Sequence, residues 1–307
     1  MPRILDSYTD IAVYVYSCLE DAKRGEKQGG SGFLVAVPLE ANPESGDVYV
    51  VTNAHVVLEA GTPVLRLNRS DGTTEFIETK RSDWIQHQHG DDVSAFPLSL
   101  DFSKLKLSVV LSNLFVSPDL MSYEDIGIGD DTFMVGRFIA HDGRQQNTPA
   151  VRFGNIAMMN MRILNPKTDL MQESFLVEVR SLPGYSGSAV YIHSPGAMND
   201  MSERRFGKTR AERLENRKRT PNLGLQLLDT EPLTPKGPYL LGIDWCHLYN
   251  ETPVLDNEGR RIGSVRENTG MAGVIPAWKI SELLNCEEFS SMRRRNDEEL
   301  TKEKASG

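Results

Sequence analysis

The chain has 307 residues, 39% of them hydrophobic and 25% charged, which is enough for one large or two small domains with a buried core and excludes a disordered chain. Its formal net charge of -9 disfavours general affinity for nucleic acids or anionic membranes. The chain does not start with a signal-like apolar segment, and no stretch reaches the about 18 apolar residues of a membrane helix. We therefore expect a cytoplasmic protein with no membrane or nucleic-acid partner.

The first third of the chain contains short apolar runs bounded by glycine, proline, asparagine or charged residues: 11–17, 31–37, 47–57 and 62–67. Such runs, closely spaced and without a helical period, predict the strands of an all-β barrel or sandwich. The sequence near 100–125 is less regular. We place a boundary between two β modules there, so that the first module spans residues 1–118.

The β pattern resumes in the second half of the chain, again as short apolar runs: 130–140, 149–163, 173–179 and 239–248. A last strand begins at Met271, and Pro276 is suited to the first turn of a helix whose Ile280, Leu283 and Leu284 share one face. These elements predict a second β module at residues 119–286 that ends in a helix.

Two segments differ from the rest in composition. The region 194–237 is rich in charge, with eight Lys or Arg against three Glu in 203–219, and the tail 287–307 is similarly polar. A basic arm for nucleic acid would need aromatic residues for base stacking, which are almost absent. We therefore expect a solvated surface insertion at about 194–237 and a frayed polar tail at 287–307.

The three cysteines are Cys18, Cys246 and Cys286. They are odd in number, far apart and without a Cys-x-x-Cys pair, which argues against a disulfide framework and a structural zinc site. We expect buried thiols, and neither a metal nor a cofactor.

A general base and its orienting acid are predicted in the first module. His55 directly follows a strand-like apolar run, where a turn can hold an imidazole rigidly at a barrel edge. Asp92 precedes the apolar segment 93–98, which would carry its carboxylate into the interior, where it can fix the imidazole tautomer. The neighbouring Asp91 is the rival acid. His87 and His89 have polar neighbours and are expected in a loop.

A candidate nucleophile, Ser186, lies in the segment "SLPGYSGSAV" at 181–190. Serine between glycines is common in tight turns, so this motif alone is a weak signal. Its meaning depends on the rest of the chain.

Four motifs in a fixed order strengthen the prediction that Ser186 is a nucleophile: "GGSGFLV" (29–35), "TNAHVV" (52–57), "DDVSAF" (91–96) and "LPGYSGSAV" (182–190). In order and separation they resemble the motifs of chymotrypsin-like (trypsin-like) serine peptidases. The stretch "GMAGVIPAWKISELL" (270–284) resembles the last strand and helix of bacterial HtrA-type members, although no PDZ-like module follows. Ser188 and Ala189 depart from the Gly and Pro common in the family, which casts little doubt on Ser186.

The resemblance implies two six-stranded antiparallel β-barrels with a C-terminal helix and an active site at their seam. Ser186 would be the nucleophile, His55 the base and Asp92 its orienting acid, hydrolysing peptide bonds of protein or peptide substrates through an acyl-enzyme. The backbone N–H groups of Gly184 and Ser186 would form the oxyanion hole.

The resemblance also suggests a primary substrate pocket containing Arg180, with Trp245 and His247 on one wall. Arg180 at its base would favour an anionic side chain. Asp244 could neutralise Arg180 and leave a small polar or apolar pocket. Alternatively, Arg180 points to solvent and has no role.

Two other functions are consistent with parts of the sequence. The segment "HQHGDD" (87–92) is similar to the His-x-His-x-Asp-His motif of metallo-β-lactamase-like hydrolases, but its last histidine is replaced and the strands do not alternate with helices. The second alternative is a catalytically silent protease-fold module that binds peptides in its cleft.

Overall fold

The computed structural model describes residues 3–25, 29–42, 45–139, 143, 145–182, 184–193 and 238–306, with side chains to 302. The insertion predicted at 194–237 lies outside these residues.

The first β module is an eight-stranded sheet rich in β-branched and aromatic residues. Its strands, in chain order, are β1 Ala12–Tyr16, β2 Gly30–Pro38, β3 Gly46–Thr52, β4 Val64–Asn68, β5 Thr74–Glu78, β6 Ile85–Gln86, β7 Ser94–Leu98 and β8 Val110–Leu111. The order across the sheet is β5-β4-β1-β2-β3-β7-β6, all antiparallel, and β8 pairs parallel with β2. Six strands have five or more residues, as predicted. The two-residue strands β6 and β8 are too short to show an alternating pattern in the sequence. The described sheet does not close into a ring.

The second β module is a closed antiparallel ring of six strands. They are β9 Asp131–Gly136, β10 Ala150–Asn165, β11 Leu170–Glu178, β12 Ala189–Ile192, β13 Tyr239–Leu255 and β14 Arg261–Pro276, in the order β10-β11-β14-β13-β12-β9. The all-β class and this six-stranded barrel are confirmed.

The described helices are α1 Asp6–Thr9, α2 Leu19–Arg24, α3 Ala54–Glu59, α4 Pro118–Glu124, α5 Ala277–Leu284 and α6 Glu287–Ser306. The predicted closing helix is α5, which buries Ala277, Ile280, Leu283 and Leu284. Short 3-10 turns occur at Arg81–Asp83, Phe102–Lys104 and Ser112–Leu114. Within the described residues, every helix is too short or too polar to span a bilayer.

The polar tail is not frayed, contrary to the sequence prediction. It forms the 20-residue helix α6. Phe289 is completely buried with its ring 4.8 Å from that of Tyr49, and the Arg293 guanidinium donates to the Leu284 carbonyl at 2.6 Å. The helix is docked on the first module by the buried Phe289 and by hydrogen bonds of three polar side chains: Arg293 donates to the Tyr49 hydroxyl, Asn296 donates to Asp47, and Asp297 accepts the Ala41 N–H.

The apolar run 47–57 is also not one strand. Strand β3 ends at Thr52, and helix α3 begins two residues later. One apolar cluster then joins both modules to the C-terminal helices, with Phe33 and Val51 from the first sheet, Phe133 and Tyr191 from the ring, and Ile280 from α5. Because burial of this shared surface stabilises the seam, residues at the module edges are held in fixed relative positions.

Candidate active site

His55 lies in the first turn of helix α3, where backbone N–H groups lack partners within the helix. The Asp92 carboxylate accepts the His55 backbone N–H through Oδ1 at 2.8 Å, and its Oδ2 lies 2.6 Å from the His55 ring Nδ1. One carboxylate thus fixes both the main chain and the ring of His55. Because Nδ1 is engaged, Nε2 is the ring nitrogen available for proton transfer.

Asp92 is only 4% exposed, as its position before an apolar strand predicted. Its backbone is held from both sides: the Asn53 side chain donates to the Asp92 carbonyl at 2.9 Å, and the Asp92 N–H donates to the Gln172 side chain at 2.9 Å. Asn53 occupies the N-cap of α3 but makes no side-chain cap bond: its Nδ2 donates to Asp92, and its Oδ1 has no partner among the described residues.

The rival Asp91 points away from His55. Its carboxylate accepts from Gln172 Nε2 at 2.6 Å and lies 3.0 Å from His87 Nδ1 and 3.5 Å from the Lys279 ammonium. Burial raises the pKa of Asp91, but the contacts with His87, Lys279 and Gln172 outweigh it, so the pKa lies below its ordinary value. Asp91 is therefore a structural anion, whereas Asp92 contacts the imidazole.

Ser186 lies in a tight turn before strand β12 that is anchored on both modules. The Ser186 carbonyl accepts the Ser31 N–H of the first sheet at 2.8 Å, and the Gly187 N–H donates to the Asp244 carbonyl of the ring at 2.8 Å. Gly187 has φ +89°, and a Cβ there would lie 1.9 Å from the Ser31 carbonyl oxygen. Only glycine fits this turn, because any side chain would separate the modules.

The two predicted oxyanion donors have no hydrogen-bond acceptor among the described residues. Within the described residues, the N–H groups of Gly184 and Ser186 donate no hydrogen bond. Gly184 has φ +98°, and its carbonyl accepts the Ser31 hydroxyl at 2.7 Å, which orients the following peptide. Ser31, whose N–H and hydroxyl both hold this turn, was not predicted from the sequence, where its only signal is its place in the first motif.

His55, Asp92 and Ser186 line one cavity of about 450 Å³ at the seam. The β10–β11 turn forms a further wall with Lys167, and Arg266 of strand β14 contributes another cation. Lys167 pairs with Glu59, and Arg266 pairs with Glu251 at 2.9 Å. Among the described residues, the Ser186 hydroxyl and His55 are not joined by a hydrogen bond. Hydrogen bonds between catalytic groups often form only when substrate is bound.

The structure brings only part of the predicted substrate pocket to this cavity. Trp245 and His247 line it, but Arg180 is exposed and does not. Arg180 follows the buried Val179 just past strand β11, and alternation of side chains along an extended chain turns it outward. Burial lowers the pKa of His247, whose Nε2 lies in hydrogen-bond contact with the Tyr249 hydroxyl. Of the alternatives left open for Arg180, its exposure favours the one in which the side chain points to solvent.

Asp244 is instead a buried carboxyl inside the ring, 1% exposed. Its Oδ2 accepts from the Ser181 hydroxyl at 3.0 Å, and its Oδ1 has no partner among the described residues. Desolvation raises the pKa of Asp244 to about 7. Because its main chain pairs with Gly187 and Ser188, this carboxyl lies directly beneath the Ser186 turn.

Replacing Asp244 by asparagine is expected to stabilise the protein increasingly as pH rises from about 4 to 7. A carboxyl with a raised pKa is neutral in both states below pH 4, so it costs nothing there; above pH 7 the folded protein must bury its charge. The difference between about 7 and the ordinary value of 3.8 corresponds to about 4 kcal/mol of unfolding free energy. Denaturant unfolding of both proteins at pH 4.5 and 8 measures it, and a gap independent of pH contradicts it.

A group that could ligate a metal ion consists of His87, Asp91 and Glu282. Asp91 Oδ2 lies 3.0 Å from Nδ1 of the buried His87 ring, and Glu282 Oε2 lies 3.1 Å from its Nε2. The Lys279 ammonium lies 3.2 Å from Glu282 and 3.5 Å from Asp91 and provides the cation between them. The Lys279 ammonium gives both carboxylates a counter-ion within the protein, so the arrangement also fits an ion-pair network. His87 lies in a loop, as predicted, although it is buried there, with 3% of its surface exposed.

The strand topology gives this chain a chymotrypsin-like fold, in which two β modules meet along a seam. Among solved structures it is similar to the MamO protease domain from Magnetospirillum magneticum in its apo form (12% identity, 90% of this chain and 96% of that one, TM-score 0.48). It is also similar to the HtrA-type protease AlgW with tripeptide (13% identity, 91% of this chain and 61% of that one, TM-score 0.45). A third similar structure is the inactive form of the Rv3671c protease (12% identity, 91% of this chain and 89% of that one, TM-score 0.46).

No protein-family model matches the chain, and no curated protein sequence does. At the identities and TM-scores given above, the structural likeness does not extend to activity. Function is therefore inferred from this chain's own residues.

Proposed function

We propose that this protein is a serine endopeptidase that hydrolyses peptide bonds through Ser186, His55 and Asp92. The observation that carries the proposal is the double contact of Asp92 with His55, in a cavity that Ser186 also lines. A buried carboxylate that holds Nδ1–H leaves Nε2 as a proton acceptor, which is the arrangement that general-base activation of a serine requires.

In the first half of the reaction, Ser186 Oγ attacks the carbonyl carbon of the scissile bond and gives its proton to His55 Nε2. The substrate oxygen becomes negative and accepts the N–H groups of Gly184 and Ser186, which have no competing acceptor among the described residues. Such a donor contributes about 3 kcal/mol to the transition state. His55 then protonates the leaving amine as the C–N bond breaks.

In the second half, His55 takes a proton from water, the resulting hydroxide attacks the acyl carbon, and Ser186 leaves with the proton returned from His55. Asp92 stays ionised throughout and stabilises the imidazolium. The chemistry suits extended protein or peptide segments, because the cavity is open between the β10–β11 turn and strand β13.

The alternative is a silent peptide-binding module, favoured by the absent hydrogen bond between Ser186 and His55. Labelling with a fluorophosphonate decides between them: Ser186 Oγ bonds to phosphorus, fluoride leaves and His55 accepts the proton. We expect mass spectrometry to find the adduct on Ser186. Labelling should be lost in His55→Ala and retained in Ser188→Ala, because Ser188 is itself fully buried. An unlabelled folded protein contradicts the proposal, and loss of labelling with a chelator revives the metal alternative.

A further inference from the structure

Gln172 of strand β11 connects the second module to the loop of the first module that carries Asp92. Its side-chain oxygen accepts the Asp92 N–H at 2.9 Å, and its side-chain nitrogen donates to Asp91 Oδ1 at 2.6 Å. Gln172 is 3% exposed, so its amide has no water to replace these partners. The two bonds span the seam at the position of the proposed catalytic acid.

The chemistry of Asp91 sets the direction of this amide. An ionised carboxylate accepts hydrogen bonds and cannot donate them, so it requires the NH₂ group of Gln172. The oxygen is then left for the Asp92 N–H, which requires an acceptor. A reversed amide would place two acceptors against each other at Asp91 and two donors at Asp92.

Asp91 is itself fixed from the C-terminal helix. Lys279 and Glu282 of α5 contact Asp91 and His87 respectively, the latter at 3.1 Å between His87 Nε2 and Glu282 Oε2. A continuous polar network thus runs from α5 through Asp91 and Gln172 to the Asp92 main chain.

The position of the Asp92 main chain determines where the imidazole lies, because both carboxylate oxygens are bonded to His55. We propose, on the basis of the proposed function, that Gln172 is a positioning residue that holds Asp92, and through it His55, in register with Ser186 across the seam. Displacement of a catalytic group by about 1 Å costs on the order of 10²-fold in rate. Gln172 therefore acts on turnover more than on substrate binding.

The first test replaces Gln172 by methionine, which has similar length but neither hydrogen-bonding group. We expect kcat for peptide hydrolysis to fall by about 10- to 100-fold with KM changed less than about twofold. The titratable and charged groups that line the cavity around His55 are all kept: Asp92, Lys167, Cys246, His247, Tyr249 and Arg266. The pH of the assay is held constant, so that the comparison reports position alone.

A second readout does not depend on activity. In proton NMR spectra, the His55 Nδ1–H signal, assigned by its loss in His55→Ala, reports the bond to Asp92. We expect this proton to exchange with solvent faster in Gln172→Met than in the parent protein. A change of hydrolysis without a change of this signal overturns the positioning role.

A donor–acceptor exchange provides the rescue. Gln172→Glu keeps the acceptor for Asp92 but sets two carboxylates against each other, so kcat is expected to fall. Adding Asp91→Asn restores a donor at that contact, and the pair of substitutions is expected to recover at least half of the lost log kcat. Failure of the second substitution to recover any activity contradicts the network.

A structural control is Asn147→Ala, which removes another buried amide, 5% exposed, bonded to Arg66 at the first sheet. It is expected to lower the unfolding temperature while leaving kcat and the His55 signal unchanged. If Gln172→Met keeps both kcat and the signal within twofold, the inference is wrong. If the parent protein is not labelled at Ser186, the proposed function fails, and the His55 signal still decides whether Gln172 positions Asp92.

Discussion

Replacing Ser186 by alanine is expected to lower peptide turnover by about 10⁶-fold, because removal of the nucleophile leaves only substrate binding and the oxyanion donors. The cavity and the turn should remain intact, since the anchors of this turn are main-chain groups and glycines rather than the Ser186 hydroxyl. Cleavage-site profiling of a proteome-derived peptide library with parent and variant proteins measures the loss and gives the residue preference at the same time.

The matched control for this substitution is Ser188→Ala, two residues along the same turn. Ser188 is fully buried and its hydroxyl has no partner among the described residues, so its loss should leave turnover near that of the parent. Identical cleavage products from Ser186→Ala and parent would show that another group is the nucleophile. If the parent protein, Ser186→Ala and Ser188→Ala have equal unfolding curves, a loss of turnover in Ser186→Ala is due to the missing hydroxyl and not to unfolding.

Replacing Asp92 by asparagine is expected to lower turnover by about 10⁴-fold while the fold is kept. The asparagine oxygen still accepts the His55 backbone N–H, so the start of helix α3 is preserved. Its NH₂ group, however, donates to Nδ1, which moves the ring proton to Nε2. The imidazole then cannot accept the Ser186 proton.

Asp91→Asn is the matched control, since it removes the adjacent carboxyl without touching the imidazole. Its effect on turnover is expected to be at least about 100-fold smaller, because Asp91 acts only through the Gln172 contact. The ratio of the two rates is measured by peptide hydrolysis and by the rate of fluorophosphonate labelling. A larger loss in Asp91→Asn than in Asp92→Asn would make Asp91 the orienting acid.

Local patterns in the sequence were sufficient to predict most of the strands and the helix α5. Runs of β-branched and aromatic residues between glycines and prolines located the long strands, and Pro276 with its apolar periodicity located α5. The pattern also predicted correctly that Asp92 is buried. Such patterns can be recognised in a sequence because burial of one face of a strand or helix requires an apolar residue at each position on that face.

Elements that depend on a few distant contacts were missed. Helix α6 has a polar sequence, and it is docked by Phe289 together with hydrogen bonds of Arg293, Asn296 and Asp297 to the first module. The sequence left open whether Arg180 enters the pocket, and side-chain alternation past strand β11 turns it outward. A register shift between Asp244 and Cys246 in β13 likewise sets which side chains enter the ring. Sequence periodicity does not reveal such shifts.

The sequence by itself determined which residue types are available for the proposed chemistry and on which strands and turns they lie: His55 and Asp92 in the first module, Ser186 between glycines in the second. Only the tertiary structure decided how these groups meet, because the contacts are long-range. His55 and Asp92 are 37 residues apart, and Gln172 reaches Asp92 from 80 residues away. Such contacts arise only when the two modules bury a common apolar surface, and that burial is a property of the whole fold rather than of any segment.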